Sequence, residues 1–238
     1  MEKELSIERL KAENELKTKW LSLIAHDFKG MFHNIVYLLS AYEKKEIPQE
    51  LFLNMLPEIK QIAEKNLKTL DSTFAWVNSQ TDGFKLQIED VSIYKLFLEL
   101  KEELHDKIKL KNISIVFSGE EALILQSDRL LLTFILKQTL ENAIKYSNKD
   151  DEIVFIVSLQ HNELCIEIKD NGIGMNSNVQ ENIFTLNGST YKGTMDEVGA
   201  GLSLVVVKDF VEKLGGNMKV LSKPNEGTTV KCMFSTNV

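Results

Sequence analysis

A strand-like run that ends in an acid and two glycines, Asp170-Asn171-Gly172-Ile173-Gly174-Met175, constrains this chain more than any other stretch. The residues before it, Glu163 to Lys169, alternate between apolar and polar as a strand does. A carboxylate followed by Gly-x-Gly lets backbone approach a planar ligand closely, because glycine adopts positive φ and has no Cβ. A second glycine pair, Gly199-Ala200-Gly201-Leu202-Ser203-Leu204, opens a helical pattern. The free N–H groups and positive dipole end of a helix start suit phosphates. Either half alone is an ordinary turn. With Asn142 at the polar end of an upstream helix, the two halves predict one nucleotide pocket.

The surrounding pattern is that of an α/β layer. Phe84–Val91 reads as a strand, and Ser92 is a cap for a helix through about Lys111. Ile113–Phe117 and Leu123–Gln126 read as strands, and Asp128–Tyr146 as a helix. Ile153–Leu159 and Glu163–Lys169 pair around a His161-Asn162 turn. A short helix near Gln180–Phe184, a polar segment and a helix over Leu202–Leu214 follow, the last stopped by Gly215-Gly216. Met218–Ser222 and Thr228–Phe234 are the closing strands. Helices on one side of a mixed sheet make a two-layer α/β sandwich.

The first eighty residues follow a different rule. Ile24, Phe28, Met31, Ile35, Leu38 and Tyr42 form a heptad seam on a helix that runs to about Lys45. Glu46–Gln49 connects to a second helix reaching about Ser79, with Pro57 either kinking it or marking its first turn. One hairpin cannot cover both apolar stripes, so the pattern predicts a dimeric four-helix bundle. The predicted division is 1–81 for the hairpin and 82–238 for the sandwich. His26 falls opposite the seam at 100° per residue and should face solvent beside Asp27. A surface His-Asp pair is ordinarily inert. Its chemical reading is a nucleophilic imidazole whose second ring proton is oriented or received by the carboxylate. His33, one heptad later, lacks an acidic neighbour.

Net charge of −7, with no long basic run, argues against nucleic-acid binding. Cys165 and Cys232 lie in strand-like stretches without Cys-x-x-Cys spacing and read as buried reduced thiols of a cytoplasmic protein. No apolar run approaches the ~20 residues that span a bilayer. Gly172-x-Gly174 lacks the third glycine of dinucleotide binding. Gly188 to Gly193 has P-loop spacing but continues Thr194-Met195, without the required lysine.

The ordered series over about residues 15–235 resembles the histidine kinases. Glu141-Asn142-Ala143-Ile144-Lys145-Tyr146-Ser147 is similar to their N box, Asp170–Met175 to G1, Glu181-Asn182-Ile183-Phe184 to the F box and Gly199–Leu204 to G2. Glu226-Gly227-Thr228-Thr229 resembles the last motif near the ATP lid, and Leu23–Lys29 the phosphoacceptor box. The resemblance implies a Bergerat-type ATP-binding fold. It implies that Asp170 accepts a hydrogen bond from the adenine amino group and that Asn142 coordinates Mg²⁺ on the phosphates. Gln138 is a further candidate for holding the ion. Lys145 would contact phosphate oxygens, and Tyr146 would pack beside the nucleotide. Gly172, Gly174, Gly199, Gly201 and Leu202 would shape the pocket and lid hinge, with Thr229 near the adenine. Lys192 could reach the γ-phosphate or remain solvated.

Gyrase-like relatives of this fold hydrolyse ATP with a glutamate one turn before the asparagine. Here that position is Gln138, a neutral amide and a poor base. The expectation is therefore autophosphorylation at His26, with Asp27 as general base, then transfer to an aspartate on a response regulator receiver domain. The partners expected are a second copy and that receiver. The chain would be the cytoplasmic portion of a membrane-bound sensor. Gly30, four residues after His26, stands where the family often carries Thr or Asn for phosphatase action, so weak phosphatase activity is expected. The rival readings are a nucleotide-binding scaffold and an ATP-driven clamp that makes no phosphohistidine.

Overall fold

The computed structural model describes residues 36–57, 59–60, 63, 85–184, 193–195, 197 and 203–236. The chain divides into two compact units, Met1–Phe84 and Lys85–Val238. His26, Asp27, Gly30, His33, Lys192, Gly199, Gly201 and Leu202 lie outside the described residues. Among those described, no helix is long and apolar enough to cross a membrane.

In the first unit, residues 36–43 (α1) and 49–57 (α2) are helical around a turn at 44–47. Lys45 takes the left-handed conformation, φ 58°. The Pro48 carbonyl accepts from Phe52 N at 3.1 Å, so proline opens α2, where its missing N–H removes nothing. Pro57 therefore lies well past the first turn of α2. Tyr42 stacks on Phe52 across the hairpin with ring centroids 4.5 Å apart. Val36, Tyr37, Leu39, Leu51 and Leu53 stay exposed within one chain.

The second unit begins later than its sequence predicts: β1 spans Ile88–Ser92. It pairs antiparallel with β3 (Ile124–Asp128) in a two-stranded ribbon separate from the main sheet. Ser92 caps α3 (Ile93–Glu103), its Oγ accepting from Lys95 N at 3.4 Å. The single helix expected through Lys111 breaks at buried Leu104 and resumes as α4 (His105–Lys111). Asn112 in the αL conformation, φ 51°, ends α4 and turns the chain into β2 (Ser114–Gly119). After β3, Asp128 caps α5 (Arg129–Tyr146) by accepting from Leu131 N at 3.1 Å.

The hairpin β4 (Glu152–Gln160) and β5 (Glu163–Asp170) turns at His161 and Asn162, both at positive φ, as a two-residue connection requires. The short helix α6 covers Ser177–Asn182, three residues earlier than its pattern implies, because the Asn176 side chain caps it. Helix α7 (Ser203–Lys213) ends at Gly215, φ 70°. Strands β6 (Asn217–Lys223) and β7 (Gly227–Ser235) close the fold.

The main sheet has the order β2-β4-β5-β7-β6, with β2–β4 parallel and the other pairs antiparallel. Strand period decides which side chains meet the helices. Leu164, Ile166, Ile168 and Asp170 of β5 share the buried face, and Ile168 lies opposite Val230. Against that face, α5 buries Leu131, Leu132, Ile135, Leu136 and Leu140, while α7 buries Val206, Val207, Phe210 and Val211. Phe97 bridges Phe117 and Phe155 at 5.2 and 5.1 Å, and Phe134 of α5 meets Phe210 of α7 edge-on at 5.0 Å. Arg129–Glu99, Lys107–Glu141 and Lys137–Glu103 link α5 to α3 and α4 at the surface. Such exposed pairs contribute only ~0.2–1 kcal/mol each, so apolar packing decides the helix positions.

Candidate functional site

Three segments converge at the C-terminal ends of α5 and β5. The last turns of α5 supply Asn142, Lys145 and Tyr146, with Gln138 one turn earlier. Strand β5 ends in Asp170, and the β6–β7 hairpin contributes Ser222, Gly227 and Thr228. The loop 171–176 threads between them. Ile173 N donates to the Tyr146 carbonyl at 3.1 Å, and the Ile173 carbonyl accepts from Asn225 N at 2.8 Å. Met175 N donates to Ser222 Oγ at 2.8 Å, and Gln180 Nε2 to the Ser222 carbonyl at 2.7 Å. The loop is thus fastened on both sides before any ligand arrives.

This fastening explains the glycines. A Cβ on Gly172 would strike the Tyr146 carbonyl oxygen. Gly174 sits at φ 62°, and a Cβ there would strike the Lys223 carbonyl oxygen. Gly227, at φ 83°, lies in the same way against the Asp170 carbonyl. Gly215 also has positive φ, but a Cβ there would meet open space. Gly215→Ala is therefore expected to cost ~1 kcal/mol, for backbone conformation alone. Gly174→Ala adds a collision with backbone and should cost about 2 kcal/mol. Urea denaturation of the two variants tests this order, and equal losses would show that the close approach carries no strain.

Asp170 is 5% exposed. Its Oδ1 accepts from Gly172 N at 3.0 Å and Thr228 N at 3.1 Å. Among the described residues, Oδ2 takes no protein donor. Burial pushes the carboxyl up to about 6, against the lowering effect of the two backbone donors. A desolvated carboxylate with one open oxygen is built to accept from a neutral donor such as an exocyclic amine. Lys145 Nζ lies over the Tyr146 ring, 4.8 Å from its centroid. Burial, with Glu197 nearby, raises the Tyr146 hydroxyl above its usual range, so it stays protonated.

The predicted residues Asn142, Lys145, Tyr146, Asp170, Gly172 and Gly174 come together here. Thr229 does not. The β5–β7 register sets Thr228 opposite Asp170 and Thr229 opposite Lys169, on the other face of the sheet. Thr228 Oγ1 lies 2.9 Å from Ser222 Oγ, so a hydroxyl pair lines the Asp170 face. In a run of two threonines the sequence leaves strand parity open by one residue, and pairing with β5 resolves it. Ser222, Gln180 and Lys111 also escaped the sequence reading. Lys111 lies among other lysines of an amphipathic pattern, and nothing in its spacing marks it. Both cysteines are free and buried, with burial pushing Cys232 up to about 12 and raising Cys165 as well. No group of three or more His, Cys, Asp or Glu side chains placed to hold a metal occurs among the described residues.

Residues 127–237 match the family described as histidine kinase-, DNA gyrase B-, and HSP90-like ATPases. The chain is 27% identical over 236 residues to the sensor histidine kinase YvrG of Bacillus subtilis, covering 95% of this chain and 39% of YvrG. It is 24% identical over 231 residues to the sensor histidine kinase YcbM of the same organism, covering 94% and 73%. In fold it is similar to the Acinetobacter baumannii histidine kinase AdeS, with TM-score 0.70 and 14% identity over 90% of this chain and 98% of that one. It is also similar to the histidine kinase ThkA in complex with response regulator protein TrrA, with TM-score 0.67 and 17% identity over 97% and 64%.

Proposed function

We propose, from the premise that residues 127–237 belong to the histidine kinase-, DNA gyrase B-, and HSP90-like ATPase family, that this chain is the ATP-dependent kinase core of a sensor histidine kinase. The observation that carries the nucleotide half is Asp170, buried, with Oδ1 held by two backbone donors and Oδ2 open. Adenine offers an amine to that oxygen. Gly172 and Gly174 let the 171–176 loop lie close against the Tyr146 and Lys223 carbonyls beside that carboxylate, and Lys145 neutralises phosphate charge. Thr228 and Ser222 complete the polar wall on the Asp170 face.

Mg²⁺ fits the residues present. An ion that keeps most of its waters and binds substrate phosphates needs only one or two protein oxygens. The amide oxygens of Asn142 and Gln138 would supply them. When bound, Mg²⁺ spreads the charge that develops on the transferred phosphoryl group. The protein's own residues do the rest: Asp170 fixes the base, Lys145 orients the phosphates, and Gln138, being neutral, leaves water unactivated. His26 takes the phosphoryl group with Asp27 as base, and a receiver aspartate is its next acceptor. The likeness to a kinase whose structure holds a response regulator supports that second step. The exposed Val36, Leu39, Leu51 and Leu53 support pairing of the hairpin with a second copy. The division 1–81 and 82–238 assigns phosphoacceptor and dimerisation to the first part and nucleotide chemistry to the second.

Incubation with γ-labelled ATP and Mg²⁺ tests the reading. Protein-bound label that is acid-labile and base-stable is expected. Steady phosphate release with no bound label would establish the clamp instead.

A further inference from the structure

Lys111 is the last residue of α4 and only 2% exposed, an unusual place for an ammonium. Its Nζ lies 2.9 Å from the Ile144 carbonyl, 2.7 Å from that of Lys145 and 3.3 Å from that of Ser147. The same nitrogen donates to Thr194 Oγ1 at 2.7 Å and pairs with Glu197 Oε1 at 2.7 Å. The three carbonyls close the C-terminus of α5, where helical partners run out and the dipole is negative. Thr194 adds to the same knot: its N donates to the Lys145 carbonyl at 3.1 Å and its Oγ1 to that of Ser147 at 2.6 Å. Glu197 accepts from Met195 N at 2.8 Å. Burial works to raise the Glu197 carboxyl, but Lys111 and the backbone donors hold it below its usual range.

We propose that Lys111 is a positioning residue for the phosphate end of the nucleotide site, acting through the last turn of α5, Thr194 and Glu197. The proposal rests on the nucleotide reading above. Burying an ammonium is costly unless every proton is met, and a helix end at the surface would take water instead. Here the cation fixes the carbonyls of the turn that carries Asn142, Lys145 and Tyr146. That turn is held on its other side by Ile173 N on the Tyr146 carbonyl. The carboxylate at the adenine end has donors of its own, Gly172 N and Thr228 N on Asp170. Loosening Lys111 therefore acts first on the residues that meet the phosphates.

The test compares ATP with adenosine in Lys111→Met and Glu197→Gln proteins by calorimetry, with amide exchange of the ligand-free proteins alongside. Lys111→Met is expected to weaken Mg-ATP about tenfold, the lower end of what loss of a supporting partner does to a site. Adenosine affinity should stay within about twofold. Glu197→Gln, which keeps Lys111 in place, should show the same selectivity at about threefold. Exchange at Thr194 N–H should quicken in both variants. Equal weakening of ATP and adenosine, or unchanged ATP affinity in folded Lys111→Met protein, overturns the assignment. Should Lys111→Met fail to fold, Glu197→Gln decides: unchanged ATP affinity overturns it. Unaltered exchange at Thr194 overturns the anchor itself, whereas a wild-type chain that binds neither ligand overturns the nucleotide reading.

Discussion

Asp170→Asn protein should bind Mg-ATP about a hundredfold more weakly than wild type and yet be more stable at neutral pH. The amide Oδ1 keeps the two bonds from Gly172 N and Thr228 N. Its Nδ2 then stands where the open carboxylate oxygen was and turns a donor toward the donor of the base. Two buried donors facing one another forfeit ~1–3 kcal/mol, up to about a hundredfold in affinity. Stability moves the other way. Burial holds the carboxyl at about 6 against an ordinary 3.8, so the folded state carries its charge at neutral pH under strain. A difference of that size corresponds to roughly 3 kcal/mol, of which relaxation of the site should return about 1–2 kcal/mol as a gain in the amide variant. Calorimetric titration and urea denaturation at pH 7 read the two effects. A variant that loses affinity and stability together would show the carboxylate to be structural, and unchanged ATP affinity would remove it from the site.

The same carboxyl gives the site a pH dependence of fixed sign. Its folded value lies above its unfolded one, so its contribution to stability is fully present below about pH 4 and is lost as pH rises through about 6. That segment of the stability curve should flatten in Asp170→Asn. Adenine's amine favours the ionised form, so binding draws the proton off and nucleotide affinity should rise across the same interval.

How far the sequence carried the fold depends on whether each signal is local. Ser92 and Gly215 are a cap and a stop whose chemistry acts within a turn, and both do what their positions imply. The alternation that marks β4 and β5 survives because a strand with one buried face has a fixed period. The break at Leu104 was invisible, since a leucine in phase with the buried stripe of α3 carries no stop signal. The separate β1–β3 ribbon was also hidden, because strand pairing is non-local. In the site, Asp170 and its glycines were legible since backbone proximity restricts residue type at each one. Lys111 was not, for its role is fixed by carbonyls more than thirty residues away. Thr228 was missed by one position, the smallest error a strand permits and one that turns the side chain to the other face.

His26→Gln protein should incorporate less than about a thousandth of the wild-type acid-labile label while binding ATP with unchanged affinity. The argument rests on helical spacing and on chemistry. Ile24 and Phe28 lie on the seam, and His26 falls two residues from each, about 200° around the helix. On that spacing a side chain at position 26 is expected to stay out of the bundle and open to a phosphoryl donor. A neutral imidazole nitrogen attacks; a glutamine amide of similar reach has its lone pair delocalised and does not. Asp27→Asn removes the group that orients or receives the ring proton and should slow labelling about a hundredfold without abolishing it, the lower range for losing a general base. Neither residue is among those proposed to hold the nucleotide, so affinity for ATP serves as the internal control. Label of the same acid lability persisting in His26→Gln would move the acceptor to another histidine, His33 being the next along that flank. Acid-stable label would mean a hydroxyl acceptor and a different class of kinase.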